Sequence, residues 1–196
     1  MGRPNRTQNA INVLSDEEKF KLISHAEDDR NGTAMLVHLL LHTGIRIGEA
    51  KPLTWDHVMH EGQVKTELII EPAWTRTKVG RRMPISARLQ NQLVKHYART
   101  MSIAGPEFST TWSLLPGHRA SGWSIRQMER IIKRLGAEAT GRRITPHALR
   151  HTCATDLLKH TDIRTIQLLL GHLYLNSTQI YTHPTMDDLR KAVDKL

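Results

Sequence analysis

The apolar residues of this chain recur at intervals of three and four positions, and this periodicity restricts the chain to a mainly helical fold. The stretch TAMLVHLLLHT, residues 33–43, has its apolar side chains at core-facing helical spacing. The stretch SIRQMERIIKRLGAEA has the same pattern, and so has the segment 186–196. Amphipathic helices of this kind are expected to pack around one shared core.

Capping residues predict where several helices begin and end. Ser15 followed by Glu18 forms a capping box, so the first helix is expected to start there. Gly44 is expected to end the second helix, because glycine readily adopts the left-handed conformation of a C-terminal cap. A short helix should follow from Arg46, and Pro52 should terminate it.

Between residues 64 and 85 the pattern changes from helical to extended. The segments VKTELIIEPAW and RRMPIS are typical of strands, and the Val79-Gly80 pair between them predicts a hairpin turn. Lys78 would then lie near the tip of this hairpin. The predicted fold class is mainly α with one small antiparallel β-sheet.

The domain organisation follows from these segments. Residues 1–14 are polar and basic and predict a flexible N-terminal arm, whereas residues 15–185 have the length of one ordinary domain. Residues 186–196 predict an amphipathic tail helix. A helix this short is marginal alone, so it should dock on another surface.

The charge of the chain favours a polyanionic partner. There are 28 Lys and Arg residues against 19 Asp and Glu, which gives a formal net charge of +9 at pH 7. Neutralising phosphates with such groups releases counterions and yields affinity without any base-specific contact. The clustered basic residues are Arg76, Lys78, Arg81, Arg82, Arg142 and Arg143.

The composition argues against membrane insertion and secretion. No apolar run reaches the roughly 18 residues of a membrane span, and the N-terminal stretch MGRPNRTQNA lacks the apolar region of a secretory signal. The single cysteine, Cys153, excludes an intramolecular disulfide and fits a reducing compartment. A protein of the reducing cytosol is therefore expected.

The stretch ITPHALRHTCATDLL places His147, Arg150 and His151 close together on one predicted helix, with Leu158 among the residues turned toward the core. One interpretation is a solvated polar face. A zinc site is a second, but position 148 is alanine, so the general-base glutamate of the H-E-x-x-H motif is missing, and Arg150 would repel a cation. A phosphate site is the third, since a guanidinium donates to phosphate oxygens and imidazole moves protons near neutral pH.

Further stretches favour the phosphate site, because the whole set resembles the catalytic domain of the tyrosine recombinases, the phage integrase family. The resemblance covers residues 15–185. It rests on the stretches HTGIRIGEA, TRTKVGRRMPIS, TPHALRHTCATDLL, IRTIQLLLGH and STQIYTH. It implies a helical catalytic domain with a small sheet, which cuts one DNA strand by tyrosine attack on phosphorus and rejoins that strand to a new partner.

The resemblance also implies which tyrosine reacts. Tyr181 would be the nucleophile and would form a 3′-phosphotyrosine. Tyr97 lies on the apolar stripe of a predicted helix, which indicates a core residue. Tyr174 follows His172 too closely to match the family's spacing.

The other catalytic roles come from the same resemblance. Arg46 and Arg150 would clamp the non-bridging phosphate oxygens, and His172 would add a hydrogen bond there. Lys78 would protonate the leaving 5′-oxygen, and His147 would assist proton movement at the tyrosine hydroxyl. The covalent link retains the energy of the broken bond, so this scheme requires neither a metal, another cofactor nor ATP.

Two further groups of residues complete the expected site. Glu49 is expected to orient Arg46, and His151 is expected to support the catalytic residues. The DNA-binding residues are expected to be Arg76, Arg81, Arg82, Arg142 and Arg143.

The chain departs from the family pattern at its N-terminus. Most members carry a helical core-binding domain before the catalytic one, and no such domain is expected here. The chain would be either an excised catalytic domain or a natural short form, as in the fimbrial-switch recombinases.

The expected partners are double-stranded DNA and further copies of the chain: a monomer in free solution that forms a tetrameric synapse on DNA. The tail helix would then dock either on its own domain or on a neighbouring subunit. Two other functions remain open, namely nicking and closing of the type IB topoisomerase kind and a catalytically silent DNA-binding module.

Overall fold

A computed structural model describes residues 13–29, 32–115, 121–171 and 186–196 of the chain. The helices there are α1 (Asp16–Asp28), α2 (Thr33–Thr43), α3 (Ile47–Ala50), α4 (Trp55–Val58), α5 (Ala87–Ala104), α6 (Ile125–Thr140), α7 (Pro146–Leu158), α8 (Ile163–Leu170) and α9 (Met186–Val193). The strands are β1 (Met59–His60), β2 (Gln63–Val64), β3 (Glu67–Ile70) and β4 (Arg81–Pro84). None of the helices in these residues is long and apolar enough to cross a membrane.

The helix ends are formed by the predicted capping residues. At the start of α1, Ser15 Oγ accepts from the Glu18 backbone at 3.1 Å and Glu18 Oε2 accepts from the Ser15 backbone at 2.9 Å. Gly44 ends α2 with a φ of 59°, a left-handed conformation that glycine adopts without a Cβ clash. The short helix α3 ends at Ala50, just before Pro52.

Helix α2 forms the centre of the molecule, where it packs against α1, α5, α6 and α7. All residues from Thr33 to Thr43 are buried. This helix is apolar around almost its whole circumference, and such a helix is stable only when other elements surround it. The histidines His38 and His42 are part of this buried surface.

The sheet region holds two antiparallel pairs, whereas the sequence predicted one. Strands β3 and β4 pair in the expected place, with Ile70 opposite Arg81 and Leu68 opposite Met83. The additional pair, β1 and β2, is closed by Glu61 and Gly62, both at positive φ. A two-residue turn of this kind matches the twist of a hairpin. These strands are too short to show an alternating pattern in the sequence.

The predicted turn at Val79-Gly80 is not formed. The chain between β3 and β4 first makes a 3-10 turn at Pro72–Trp74. The Lys78 N–H then donates to the Thr75 carbonyl at 3.4 Å. The reversal is therefore complete at Lys78, and residues 79–80 already lead into β4.

The tail helix α9 packs on its own domain, against β4 and α8. Its residues Leu189, Ala192 and Val193 are buried in the shared core. Arg88 Nη1 on α5 donates to the Leu196 carbonyl at 2.9 Å and holds the end of the segment. In the single chain, the amphipathic face of α9 is thus covered in cis.

Candidate active site

Arg150 on α7 holds together the ends of two other helices. Its Nη1 donates to the Gly44 carbonyl at 2.6 Å, and its Nη2 donates to the Leu170 carbonyl at 2.7 Å. Carbonyls near helix C-termini lack partners within their own helix, so they attract a cationic donor. Arg150 therefore joins the carboxyl ends of α2 and α8.

The sequence places Arg150 on the same helix face as His147 and His151, but in the structure Arg150 is buried whereas His147 is exposed. Arg150 is only 6% exposed, because its two carbonyl partners draw the guanidinium inward. Leu158 was predicted to face the core and is 51% exposed. Adjacent helical positions are about 100° apart, and the buried position is taken by Leu157.

The helix ends meet so closely that a side chain at position 44 would not fit. A Cβ on Gly44 would lie 2.6 Å from Leu170 Cδ2 and 3.2 Å from Cys153 Sγ. The positive φ of Gly44 adds a second constraint. This close approach sets the position of Arg46, two residues further along the chain.

Glu49 on α3 is the carboxylate at the centre of the site, and it is 1% exposed. Its Oε2 accepts from the Arg46 backbone N–H at 2.8 Å, and its Oε1 accepts from Arg46 Nη1 at 3.2 Å. Burial alone would raise the pKa of Glu49, but hydrogen bonds and charge from Arg81, and then from Arg46, hold this pKa below its ordinary value. The orienting role predicted for Glu49 is consistent with this arrangement.

Arg81 on β4 occupies a different position from the one expected of a DNA-binding residue. Its side chain is 8% exposed and forms an ion pair with Glu49, with Nη1–Oε1 and Nη2–Oε2 distances of 3.1 and 2.8 Å. Its Nε also donates to the Leu169 carbonyl at 2.7 Å. The guanidinium is therefore directed into the protein rather than toward solvent.

The site carries an excess of positive charge. Three guanidinium groups, those of Arg46, Arg81 and Arg150, lie around the one carboxylate of Glu49. Burial, and then the charges of Arg46 and Arg81, lower the pKa of Arg150 to about 10. An anion beside these groups would relieve their mutual repulsion, so the arrangement is suited to binding an oxyanion.

His147 and His151 form a contact pair at the solvent side of α7. Their Nε2 atoms are 2.8 Å apart and their rings are nearly perpendicular, at 78° with centroids 4.2 Å apart. One ring must donate and the other accept. Burial lowers the pKa of His151, and the charges of His147 and Arg150 act in the same direction.

The described residues include no group of three or more His, Cys, Asp or Glu side chains placed to bind a metal ion. Zinc binding at His147 and His151 would require a third protein ligand of that kind.

Lys78 lies on the connection between β3 and β4, with its side chain exposed. Its φ is 56°, a left-handed conformation that costs a non-glycine residue about 1 kcal/mol or more. The residue that follows the turn, Gly80, lies against β3: a Cβ there would be 2.8 Å from the Ile70 carbonyl oxygen. The close packing of Gly80 against β3 therefore restricts the backbone from which the Lys78 side chain extends.

The other predicted DNA-binding arginines lie at the surface. Arg76 and Arg143 are exposed. Arg82 forms an ion pair with Glu67, and Arg142 forms one with Glu18. Exposed ion pairs are worth little, about 0–1 kcal/mol, so a DNA phosphate can replace either carboxylate. Binding of DNA by these four residues stays a prediction.

Two predicted catalytic residues, His172 and Tyr181, lie outside the described residues, as does the rejected Tyr174. His172 follows Gly171, which caps α8 with a φ of 67°. The described tyrosine, Tyr97, packs in an aromatic cluster, with its ring centroid 5.4 Å from those of both Trp55 and Phe108. Tyr97 is partly buried and packs against the core, which is consistent with its exclusion as the nucleophile.

The prediction from sequence missed the internal role of Arg81. A signal was available: Arg81 begins strand β4, and the residue two positions later, Met83, is apolar and buried. Alternation therefore directs Arg81 and Met83 to one face and Arg82 to the other.

Known proteins resemble this chain over most of its length. The model of the phage integrase family matches residues 12–188. The tyrosine recombinase XerA of Pyrococcus furiosus is 33% identical over 185 residues, which cover 93% of this chain and 60% of the relative. The tyrosine recombinase XerD of Corynebacterium glutamicum is 35% identical over 163 residues, covering 80% of this chain and 50% of the relative. The chain thus spans roughly half to three fifths of the length of these curated relatives.

Solved structures show the same fold. A crystal structure of XerA recombinase superposes with a TM-score of 0.70 at 28% identity, covering 97% of this chain and 65% of that one. The catalytic core of lambda integrase superposes with a TM-score of 0.62 at 22% identity, covering 82% of this chain and 94% of that one.

Proposed function

Because the chain belongs to the phage integrase family, we propose that it is a site-specific DNA recombinase of the tyrosine type. It cleaves and rejoins DNA strands through a covalent 3′-phosphotyrosine intermediate. The observation that carries the proposal is the cluster of Arg46, Arg81 and Arg150 around the single carboxylate of Glu49. A phosphodiester supplies the negative charge that this cluster lacks.

The reaction is a transesterification at phosphorus. The Tyr181 hydroxyl oxygen attacks the scissile phosphorus, the bond from phosphorus to the 5′-oxygen breaks, and the tyrosine proton leaves. The products are a 3′-phosphotyrosine and a free 5′-hydroxyl. Attack of a 5′-hydroxyl from another strand reverses the chemistry and releases the tyrosine, so the number of phosphoester bonds is conserved.

The positive cluster stabilises the transition state, in which negative charge on the non-bridging oxygens increases. Arg46 is placed for direct contact, because its side chain is 38% exposed while Glu49 fixes one edge of it. Arg150 acts from a buried position. It supplies charge and fixes the helix ends around the phosphate, and His172 donates a further hydrogen bond.

Proton transfer falls to residues on the solvent side. The amine of Lys78 protonates the departing 5′-oxygen, and His147 accepts the proton of the tyrosine hydroxyl. When His147 donates its Nε2–H to His151 Nε2, its Nδ1 is left as the free acceptor for that proton. These assignments use side chains of the protein alone, without a metal, another cofactor or ATP.

The partners are double-stranded DNA and further copies of the chain. Among structural neighbours of similar fold, XerH has been solved bound to its difH substrate, and lambda integrase has been solved as a tetramer bound to a Holliday junction. By analogy, this chain is a monomer in free solution and assembles as a tetramer on cytoplasmic DNA. The exposed arginines Arg76, Arg82, Arg142 and Arg143 contact the phosphate backbone, and the net charge of +9 supports the affinity.

The test begins with the recognition sequence. Duplexes that bind the protein are selected from a randomised pool, and nicked versions of the selected sequence are made so that cleavage releases a short fragment and traps the covalent product. The protein is incubated with this substrate in EDTA and without nucleotide, and a denaturing gel is read for a protein–DNA adduct.

Tyr181→Phe should abolish the adduct and leave DNA affinity nearly unchanged, since only the nucleophilic oxygen is lost. Tyr97→Phe, a change in the aromatic cluster, is the matched control and should still form the adduct. Loss of the adduct in Tyr174→Phe with its persistence in Tyr181→Phe would overturn the assignment of the nucleophile. Specific binding without any adduct from the unmodified protein would instead indicate a silent DNA-binding module.

A further inference from the structure

Arg81 makes three hydrogen bonds that reach two different parts of the active site. Two go from its terminal nitrogens to the two oxygens of Glu49, and the third goes from Nε to the Leu169 carbonyl. Glu49 is on α3 beside Arg46, whereas Leu169 is near the end of α8. One side chain therefore connects β4 with both segments.

The two arginines share the oxygens of Glu49. Oε1 accepts from Arg81 Nη1 at 3.1 Å and from Arg46 Nη1 at 3.2 Å. Oε2 accepts from Arg81 Nη2 and from the Arg46 backbone N–H, both at 2.8 Å. The plane of the carboxylate is thus fixed by Arg81 on one side, and this orientation determines where Glu49 holds Arg46.

The third hydrogen bond fixes the end of α8. Arg81 also lies directly against Gly171, where a Cβ would be 3.0 Å from Arg81 Nη1. Gly171 is the last described residue before His172 in the sequence. The guanidinium therefore defines the point from which the chain continues toward two of the proposed catalytic residues.

Only a guanidinium can make these contacts together. Its planar fork pairs with both oxygens of a carboxylate while Nε points in a third direction. A lysine amine would keep the charge but could not form the paired bonds and the Nε bond at the same positions.

We propose that Arg81 is a positioning residue for DNA cleavage, which acts through Glu49 on Arg46; this role rests on the recombinase function proposed above. Arg81 does not contact the substrate. It fixes the active-site arginine relative to the end of α8, and it is the first residue of β4, three positions after Lys78.

The experiment compares Arg81→Lys with Arg134→Lys. Arg134 is the matched control, because its guanidinium is likewise held by ion pairs, here with Asp29 and Glu138, and it joins α6 to the end of α1 outside the site. The single-turnover rate of adduct formation is measured with protein in saturating excess over the nicked substrate. DNA affinity and thermal melting are measured for each variant.

Arg81→Lys should lower the rate at least about tenfold and change the dissociation constant by less than about twofold. Arg134→Lys should change the rate by less than about twofold, whatever its effect on melting. If Arg81→Lys cleaves at the unmodified rate while the unmodified protein forms the adduct, the positioning role is refuted and the recombinase function stands. If the unmodified protein forms no adduct, the recombinase function is refuted and the role of Arg81 with it.

A double-mutant comparison separates positioning from general damage to the fold. In an Arg46→Ala background, adding Arg81→Lys should slow cleavage further by less than about twofold, because Arg46 is no longer there to be positioned. A full tenfold further loss would show that Arg81 acts independently of Arg46 and would overturn the proposal.

If Arg81→Lys lacks a cooperative melting transition, it is not folded, and Glu49→Gln takes its place in the test. The cleavage rate of Glu49→Gln is then measured both in the otherwise unmodified protein and together with Arg46→Ala. The proposal is supported if Glu49→Gln alone slows cleavage at least about tenfold but causes no further loss when Arg46→Ala is already present. An unchanged rate, or a loss that persists in full, overturns it.

Discussion

Two helices of this protein carry a histidine pair at the same spacing of four residues, and the two pairs have opposite environments. His38 and His42 lie on the buried central helix α2, and His147 and His151 lie on α7 at the active site. Of the two pairs, only that on α7 was singled out from the sequence. In each pair, the spacing places the two histidines on the same face of their helix. It does not determine what that face contacts.

The ring geometries differ accordingly. His38 and His42 stack, with centroids 5.4 Å apart and an angle of 19° between the planes. His42 Nε2 is buried and has no hydrogen-bond partner within the described part of the chain. The α7 rings instead meet edge to face with a nitrogen–nitrogen hydrogen bond. One pair is stacked inside the core, whereas the other forms a hydrogen bond at the surface of α7.

Burial, more than the surrounding charges, keeps the buried pair neutral. Burial is the main cause that lowers the pKa of His42, to about 4, and the charges of His38, Arg88 and Lys19 add to it. Burial also lowers the pKa of His38, against the opposing effect of Glu27 on α1 and with the further effect of Lys95 on α5. The comparison teaches that burial and neighbouring charge, not spacing, determine whether a histidine pair can titrate near neutral pH.

The sharpest contrast between the pairs should be in the pH dependence of stability. His42 has an ordinary pKa near 6.5 in the unfolded chain and about 4 in the folded protein. The unfolded state therefore binds more protons within that window. The contribution of neutral His42 to the free energy of unfolding should be fully present above pH 6.5 and should decrease by about 3 kcal/mol as the pH falls to 4. Urea unfolding at several pH values measures this loss.

Carboxylates also titrate toward the lower end of this window, so the contribution of His42 needs a control. His42→Leu should lose much less stability over the same window, and the difference between the two proteins isolates the histidine. His147→Leu should follow the unmodified curve. Equal losses in the unmodified protein and in His42→Leu would show that the buried pair does not carry the effect.

The second contrast concerns catalysis. His147→Gln should lower the single-turnover rate of adduct formation by about a hundredfold, because a positioned proton acceptor is lost. The matched change in the buried pair, His42→Gln, should alter the rate by no more than about twofold at pH 7.5. A similar rate loss in both variants would remove the functional distinction between the pairs.

The smallest effect is expected at neutral pH. His42→Leu removes a buried nitrogen without a partner and should raise the free energy of unfolding by about 1 kcal/mol. That gain corresponds to roughly 2–4 °C in melting temperature for a chain of this length. His147→Leu, at the surface of α7, should leave the melting temperature nearly unchanged. A lower melting temperature for His42→Leu would mean that ring stacking outweighs the unmet hydrogen bond.

Much of the fold could be predicted from the sequence because its signals are local. The Ser15–Glu18 capping box and Gly44 fix helix ends through neighbouring backbone groups, and both appear in the structure. The short hairpin formed by β1 and β2 could not be found in this way, since two-residue strands carry no periodic pattern. Its turn at Glu61 and Gly62 is defined by backbone conformation instead.

The site was predictable in its residue types but not in its arrangement. Arg46 and Arg150 were identified from motifs, yet the motif does not reveal that Arg150 is buried between two helix ends. The contacts of Arg150 with Gly44 and Leu170 join positions 106 and 20 residues apart. The ion pair of Arg81 with Glu49 spans 32 residues. Such distant pairings depend on the tertiary fold, which spacing alone does not contain.

The left-handed backbone of Lys78 has a consequence for the evolution of the chain. Glycine would adopt this conformation without the cost that lysine bears, so a selection for heat resistance alone would replace Lys78. A selection for strand transfer would keep the amine and accept a less stable connection. Among descendants of this sequence, the residue at position 78 therefore records which of the two pressures was stronger.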